Sequence, residues 1–239
     1  LADHVSVRYN PEKTRIRLCG AITDDLIFAL IDEIDLAINY YGYQVVEIEV
    51  NSFGGNLLSL KHYLSHLNNW RKEKGVRFET VATTTVASAA AMIVSLGDVP
   101  YRRAWSHSWL LWHKSRIPVV SDATLTDEHL EAMYRQLRDT DALLIRQVAE
   151  HVYHHKVCSE KTSSGDYRWR TIPTLHPNLS DGNPGLSLSA PESFAEVNCG
   201  SAEHLSLEQI EEVYRALWRV DHPIAPEFAQ KMLLIDEIM

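Results

Sequence analysis

A serine, a histidine and an aspartate in three separate segments, preceded by a glycine pair, are the residues of this chain best suited to covalent chemistry. Ser88 lies in Thr84-Thr85-Val86-Ala87-Ser88-Ala89-Ala90-Ala91-Met92, a strand pattern running into small residues. A serine at such a junction opens a helix. The helix dipole there favours developing negative charge, and the N–H of the next residue lacks an intrahelical partner. A plain N-cap serine has the same sequence context. His113 ends the apolar stretch Trp109-Leu110-Leu111-Trp112-His113-Lys114. Imidazole titrates near neutrality and is the usual base for a serine hydroxyl, though a strand-end histidine bonded to a backbone carbonyl fits equally. Asp221, in Asp221-His222-Pro223-Ile224-Ala225-Pro226, reads either as the orienter of a histidine or as a turn aspartate. Asn51-Ser52-Phe53-Gly54-Gly55 follows an apolar strand. Its glycines permit positive φ and leave a backbone N–H bare enough to meet a ligand oxygen; an ordinary tight turn is the other reading.

The elements that must position these groups alternate between strand and helix. Patterning predicts strands over Val5–Tyr9 and Arg15–Cys19, then a helix whose Leu26, Ile27, Leu30, Ile31, Ile34 and Ile38 form one buried stripe. A strand over Val45–Val50, a helix over Leu57–Trp70 and a strand over Phe78–Thr83 follow. Next come a short Ala-rich helix over Ser88–Leu96 and strands at Tyr101–Ala104 and Trp109–Trp112. A long helix over Asp127–His155, helices over Leu205–Trp218 and Glu227–Leu233, and a closing strand over Leu234–Ile238 complete the pattern. Such alternation predicts an α/β fold with parallel strands and right-handed crossovers. Residues 158–203 are rich in Ser, Gly, Pro and Asn, lack periodicity, and read as a loop insertion within a single domain spanning 1–239.

Taken together, order and surroundings resemble the Clp protease proteolytic subunit family. Asn51-Ser52-Phe53-Gly54-Gly55 is similar to that family's Asn-Ser-Pro-Gly-Gly, Ala87-Ser88-Ala89-Ala90 to its Ala-Ser-Met-Gly, and Leu111-Trp112-His113-Lys114 to its Met-Ile-His-Gln. The stretch Ala225–Ile238, with Leu234-Ile235-Asp236, is similar to the family's closing segment. The resemblance covers about Arg15–His155 and Glu212–Met239. It implies a crotonase-like α/β fold of repeated β-β-α units with a long protruding helix. It also implies hydrolysis of peptide bonds in peptides or unfolded proteins through an acyl-enzyme. Ser88 would be the nucleophile, His113 the general base, Asp221 its orienter, and the N–H groups of Gly55 and Ala89 the oxyanion donors. A homo-oligomeric ring of heptamer type and an ATPase unfoldase partner are implied in the same way, and no cofactor. The chain departs from the pattern at Phe53, where the family has proline, and at Thr84 and Ala90, where it has glycine. Residues 115–124 lack the family's glycine-rich stretch. Two rivals are an acyl-CoA hydratase or isomerase on the same fold, and a non-catalytic scaffold subunit of the same family.

Composition narrows the remaining classes. With 239 residues and 45% hydrophobic content, the chain has material for a substantial core. The formal charge of −9 disfavours nucleic acid and anionic membrane as partners. Three scattered cysteines, Cys19, Cys158 and Cys199, form no CxxC pair and suit a reduced, cytoplasmic setting. No basic-then-apolar leader pattern opens the sequence, and Val86–Leu96 is too short to span a bilayer. His151 and His155, one helical turn apart, have metal-binding spacing but no evident third ligand, so no metal site is expected. Lys114 would alternate away from His113 along an extended strand and is not the expected base.

Overall fold

Alternation along neighbouring strands sets the architecture, with an apolar set of residues on one side of the sheet and a charged set on the other. The computed structural model describes residues 4–9, 13–116, 126–154, 159–161, 167–169, 173–175, 194–196, 206–219 and 223–239. They fall into two units, one comprising Leu1–Trp112 with His222–Met239 and the other His113–Asp221.

The first unit is built on β1 (His4–Tyr9), β2 (Thr14–Cys19), β3 (Val45–Ser52), β4 (Arg77–Ala87), β5 (Arg102–Ala104), β6 (Trp109–Leu111) and β11 (Glu237–Ile238). The sheet runs β1-β2-β3-β4-β5-β11, with β6 also paired to β4. Only β1 and β2 pair antiparallel; every other ladder in this sheet is parallel. Parallel strands need crossovers, supplied by helices α1 (Asp24–Asp35), α2 (Leu57–Asn69) and α3 (Ala89–Ser95). Thr23 caps α1 through the Leu26 N–H, and Asn56 caps α2 through the Leu58 N–H. Ile16, Leu18, Val46, Ile48, Val50 and Phe78 are buried on the face that α1 and α3 cover, with α2 against both helices. The short α6 (Pro226–Lys231) leads into β11 and opens with proline in its first turn.

The opposite face is charged yet close-packed. Glu47 and Glu79 sit directly opposite each other in register, and both are buried. Like charges so placed repel. Lys13 reaches both carboxylates, at 2.5 and 2.9 Å, and Arg103 reaches both at 2.6 and 2.8 Å. Arg15 also pairs with Glu47, and Arg17 with Glu49 at 3.0 Å. A second ionic anchor holds the last strand. Arg102 is fully buried; its Nε and Nη2 donate to Asp236 at 2.9 and 2.7 Å, and its backbone N–H donates to the same carboxylate at 3.0 Å.

The second unit contains α4 (Asp127–His154), a helix of 28 residues, and α5 (Leu207–Leu217), which packs on it. Ser206 and Gln209 cap the start of α5 reciprocally, and Arg146 of α4 bonds both Glu150 and Glu211. Most of residues 158–203, read as a loop insertion, lie outside the described residues. Those described there form two small antiparallel ribbons, β7 (Ser159–Lys161) with β8 (Tyr167–Trp169) and β9 (Pro173–Leu175) with β10 (Phe194–Glu196). The described residues thus show a mixed α/β protein with a mostly parallel sheet. Among them, no helix is long and apolar enough to cross a membrane.

Candidate active site

The site begins with the length of β4. Its middle residues Thr80–Ala82 pair with β5, while its last three, Thr85–Ala87, pair with β6. The strand ends at Ala87 and α3 begins at Ala89, so Ser88 alone makes the turn from strand to helix. Its backbone has φ 57° and ψ −126°, a conformation that costs a residue with a Cβ on the order of 1–3 kcal/mol. The surroundings enforce it. The Ser88 N–H donates to Leu111 O of β6 at 2.8 Å, and Ser88 O accepts from the N–H groups of Ala91 and Met92 at 3.0 and 3.3 Å. Ala89, Ala90 and Ala91 are fully buried, small enough to let α3 start hard against the sheet. Ser88 occupies the cap position of α3, but its side chain makes no capping bond.

The glycine pair lies against this turn. A Cβ on Gly54 would fall 2.6 Å from Ser88 Cβ, 2.5 Å from Ala87 O and 3.0 Å from Ala89 N, and its φ is +89°. Only glycine fits there. The Gly54 N–H donates to the buried Ser52 Oγ at 3.0 Å, and Gly54 O accepts from Ile22 N–H at 2.8 Å. Ile22 O in turn accepts from Asn56 N–H at 2.7 Å, so the loop is fastened on both sides of Gly55. A Cβ on Gly55 would meet Ile22 O at 2.3 Å. Among the described residues, no acceptor takes the N–H of Gly55 or of Ala89. Ala89 is fully buried, and a buried donor without a partner costs about 1–3 kcal/mol. Such donors are what a developing oxyanion requires.

Ser88, Ala89, Gly54 and Gly55 therefore stand together within the first unit. His113 is the first residue of the second unit, two residues beyond the end of β6 at Leu111, the residue whose carbonyl receives the Ser88 N–H. His113 Nδ1 lies 2.7 Å from Lys114 O. A carbonyl only accepts, so Nδ1 carries the proton and the neutral ring keeps Nε2 as its free base. Asp221 lies outside the described residues.

Two positioning residues carried no clear signal in the sequence. Ser52 pins the glycine loop from two residues upstream, a local serine turn that its spacing to Gly54 could have suggested. Asp141 of α4 accepts from both the N–H and the Oγ of Ser115, at 3.1 and 2.5 Å, and holds the segment just after His113. Nothing local in the sequence pairs residues 26 positions apart.

Among the described residues, no group of three or more His, Cys, Asp or Glu side chains is placed to hold a metal. His155, Cys158 and Cys199 lie outside the described residues. Cys19 is a buried free thiol, and burial pushes its pKa up. Beside the glycine loop, Phe53 stacks edge-to-face on Trp109 with ring centres 5.9 Å apart. No protein-family model matches the chain, and no curated protein matches it.

Proposed function

We propose that this protein is a serine endopeptidase of the Clp protease proteolytic-subunit type, built on a crotonase-like fold in which α4 is the long protruding helix. The observation that carries the proposal is Ser88, held at φ 57° between β4 and α3, close against Gly54, with its hydroxyl free of the capping role. A serine kept in a costly backbone conformation points to use as a nucleophile rather than as a helix cap.

In this reading Ser88 Oγ attacks the scissile carbonyl, and His113 Nε2 takes its proton. The N–H groups of Gly55 and Ala89 receive the oxyanion. His113 then returns the proton to the leaving amine, and water repeats the sequence on the acyl-enzyme. Asp221 is assigned to orient the imidazole and stabilise its cation. The substrate would be a peptide or unfolded protein, the assembly a homo-oligomeric ring, and an ATPase unfoldase the partner for folded substrates.

The test is labelling of the purified protein by a fluorophosphonate, read by intact mass, beside Ser88→Ala and His113→Ala. One adduct on the parent, lost in both variants, is the expected outcome. An adduct that persists in Ser88→Ala removes the assignment.

One observation favours a second reading, a non-catalytic subunit. His113 Nδ1 donates to a neutral carbonyl, which fixes the ring but does little to stabilise an imidazolium. A parent protein that takes up no label, alone and assembled, would support that reading.

A further inference from the structure

β3 and β4 change register just before the nucleophile. From Val45 to Val50 each β3 residue faces the β4 residue 32 positions further on, so Val50 lies opposite Ala82. Beyond that point Ser52 lies opposite Val86, 34 positions on. Three residues of β4, Thr83, Thr84 and Thr85, thus oppose Asn51 alone. Thr84 is exposed and its two neighbours half-buried, whereas Ala82 and Val86 on either side are buried. The partner on the other edge of β4 changes across the same threonines, from β5 at Thr80–Ala82 to β6 at Thr85–Ala87. Such bulges bend a strand and re-aim the residues that follow, and they gather beside active sites.

The two extra residues decide what meets Ser88. In the earlier register Gly54 would face Val86, with Ser88 about 7 Å further along the strand. In the shifted register Gly54 is carried to Ser88 and abuts it, a Cβ on Gly54 falling 2.6 Å from Ser88 Cβ. The even number matters as well. One extra residue would turn the buried Val86 to the other side of the sheet, whereas two restore the alternation. Two side-chain bonds span the bulge. Thr83 Oγ1 donates to Val50 O at 3.1 Å, and Asn51 Oδ1 accepts from the Thr85 N–H at 3.4 Å. The first pins the start of the bulge to the last residue of the earlier register. The second holds its far end to the one residue it spans.

We propose that Thr83 and Asn51 are positioning residues for Ser88: by fixing the bulge they set the serine against the glycine loop, so that the hydroxyl and the oxyanion donors converge on one substrate carbonyl. This rests on the peptidase reading of Ser88. Both act through the backbone of β4. A misplacement of about 1 Å is enough to cost on the order of 10²-fold in rate.

The experiment reads the rate of covalent labelling of Ser88 by a plain alkyl fluorophosphonate in the absence of denaturant, with a urea unfolding curve for each protein. Thr83→Val keeps the shape of the side chain and removes its donor; Asn51→Leu removes the acceptor at similar size. Each should remain folded and label about tenfold or more slowly than the parent, within the range set by an ångström-scale misplacement. Thr83→Ser, which keeps the hydroxyl, should label at the parent's rate. A purely stabilising role would lower the urea midpoint and leave the rate of the folded protein alone. Parent-like rates in both Thr83→Val and Asn51→Leu overturn the assignment, as does a Thr83→Ser as slow as Thr83→Val. A parent that takes no label is a separate outcome that removes the peptidase reading and the positioning role with it.

Discussion

At Ser88 the backbone is arranged at the expense of stability, and that sets two opposite expectations for neighbouring residues. Ser88→Gly removes the penalty of positive φ, about 1–3 kcal/mol, against an entropic cost of about 0.5–1 kcal/mol. The variant should therefore unfold at higher urea concentration than the parent, by about 1 kcal/mol, while losing all labelling. A lower midpoint would show that the turn is not strained. Gly54→Ala should do the reverse, because its Cβ would meet Ala87 O and Ser88 Cβ at 2.5 and 2.6 Å. A loss of about 2–4 kcal/mol in urea unfolding is expected, with labelling reduced at least tenfold. Ser88→Ala keeps the strain, so the midpoint should change little, and on the peptidase reading it should abolish turnover, by about 10⁴ to 10⁶. The residue types were legible in the sequence: a serine before small residues and a glycine pair after a strand. Their contact was not, because Gly54 and Ser88 meet only when β3 and β4 pair in register.

Among the elements, the charged face of the sheet governs how stability depends on pH. Burial works to raise the Glu47 carboxyl, but hydrogen bonds and charges from Lys13 and Arg15 outweigh it, and its pKa stands below the ordinary value. A carboxyl lowered on folding contributes stability above its unfolded pKa and loses that contribution as pH falls through the folded one. The urea midpoint should hold from neutrality down to the ordinary glutamate range and then drop. Glu47→Gln should flatten that part of the profile, measured by urea unfolding between pH 7 and pH 3. An unchanged profile would show that Glu47 is not among the groups responsible. Asp236→Ala leaves the Arg102 guanidinium buried without its carboxylate, which should cost about 3–5 kcal/mol by the same measurement. Strand and helix positions were legible from periodicity, as in the stripe from Leu26 to Ile38. Ends were less so. Thr84–Ala87 extend β4 four residues past the expected limit at Thr83, because β6 supplies the last three of them with backbone partners from far along the chain.

For the whole molecule, the peptidase reading expects assembly, and light scattering at micromolar concentration should give a mass several times that of one chain. A monomer that still takes the fluorophosphonate would retain the chemistry and remove the ring. By itself, the sequence determined where the main strands and helices fall, though not the short ribbons within 158–203 that it read as loop, that the fold is α/β, and which side chains have types suited to acyl transfer. Those properties follow from hydrophobic period, turn chemistry and residue type, all written locally. Only the tertiary structure decided that β6 joins the end of β4 rather than extending the sheet beyond β5, and that Glu47, Glu49 and Glu79 are buried beneath cations. It also decided that Arg102 closes on Asp236 across 134 positions. Each of these depends on strand order and register, which bring distant residues to within a few ångströms and leave no trace in local periodicity.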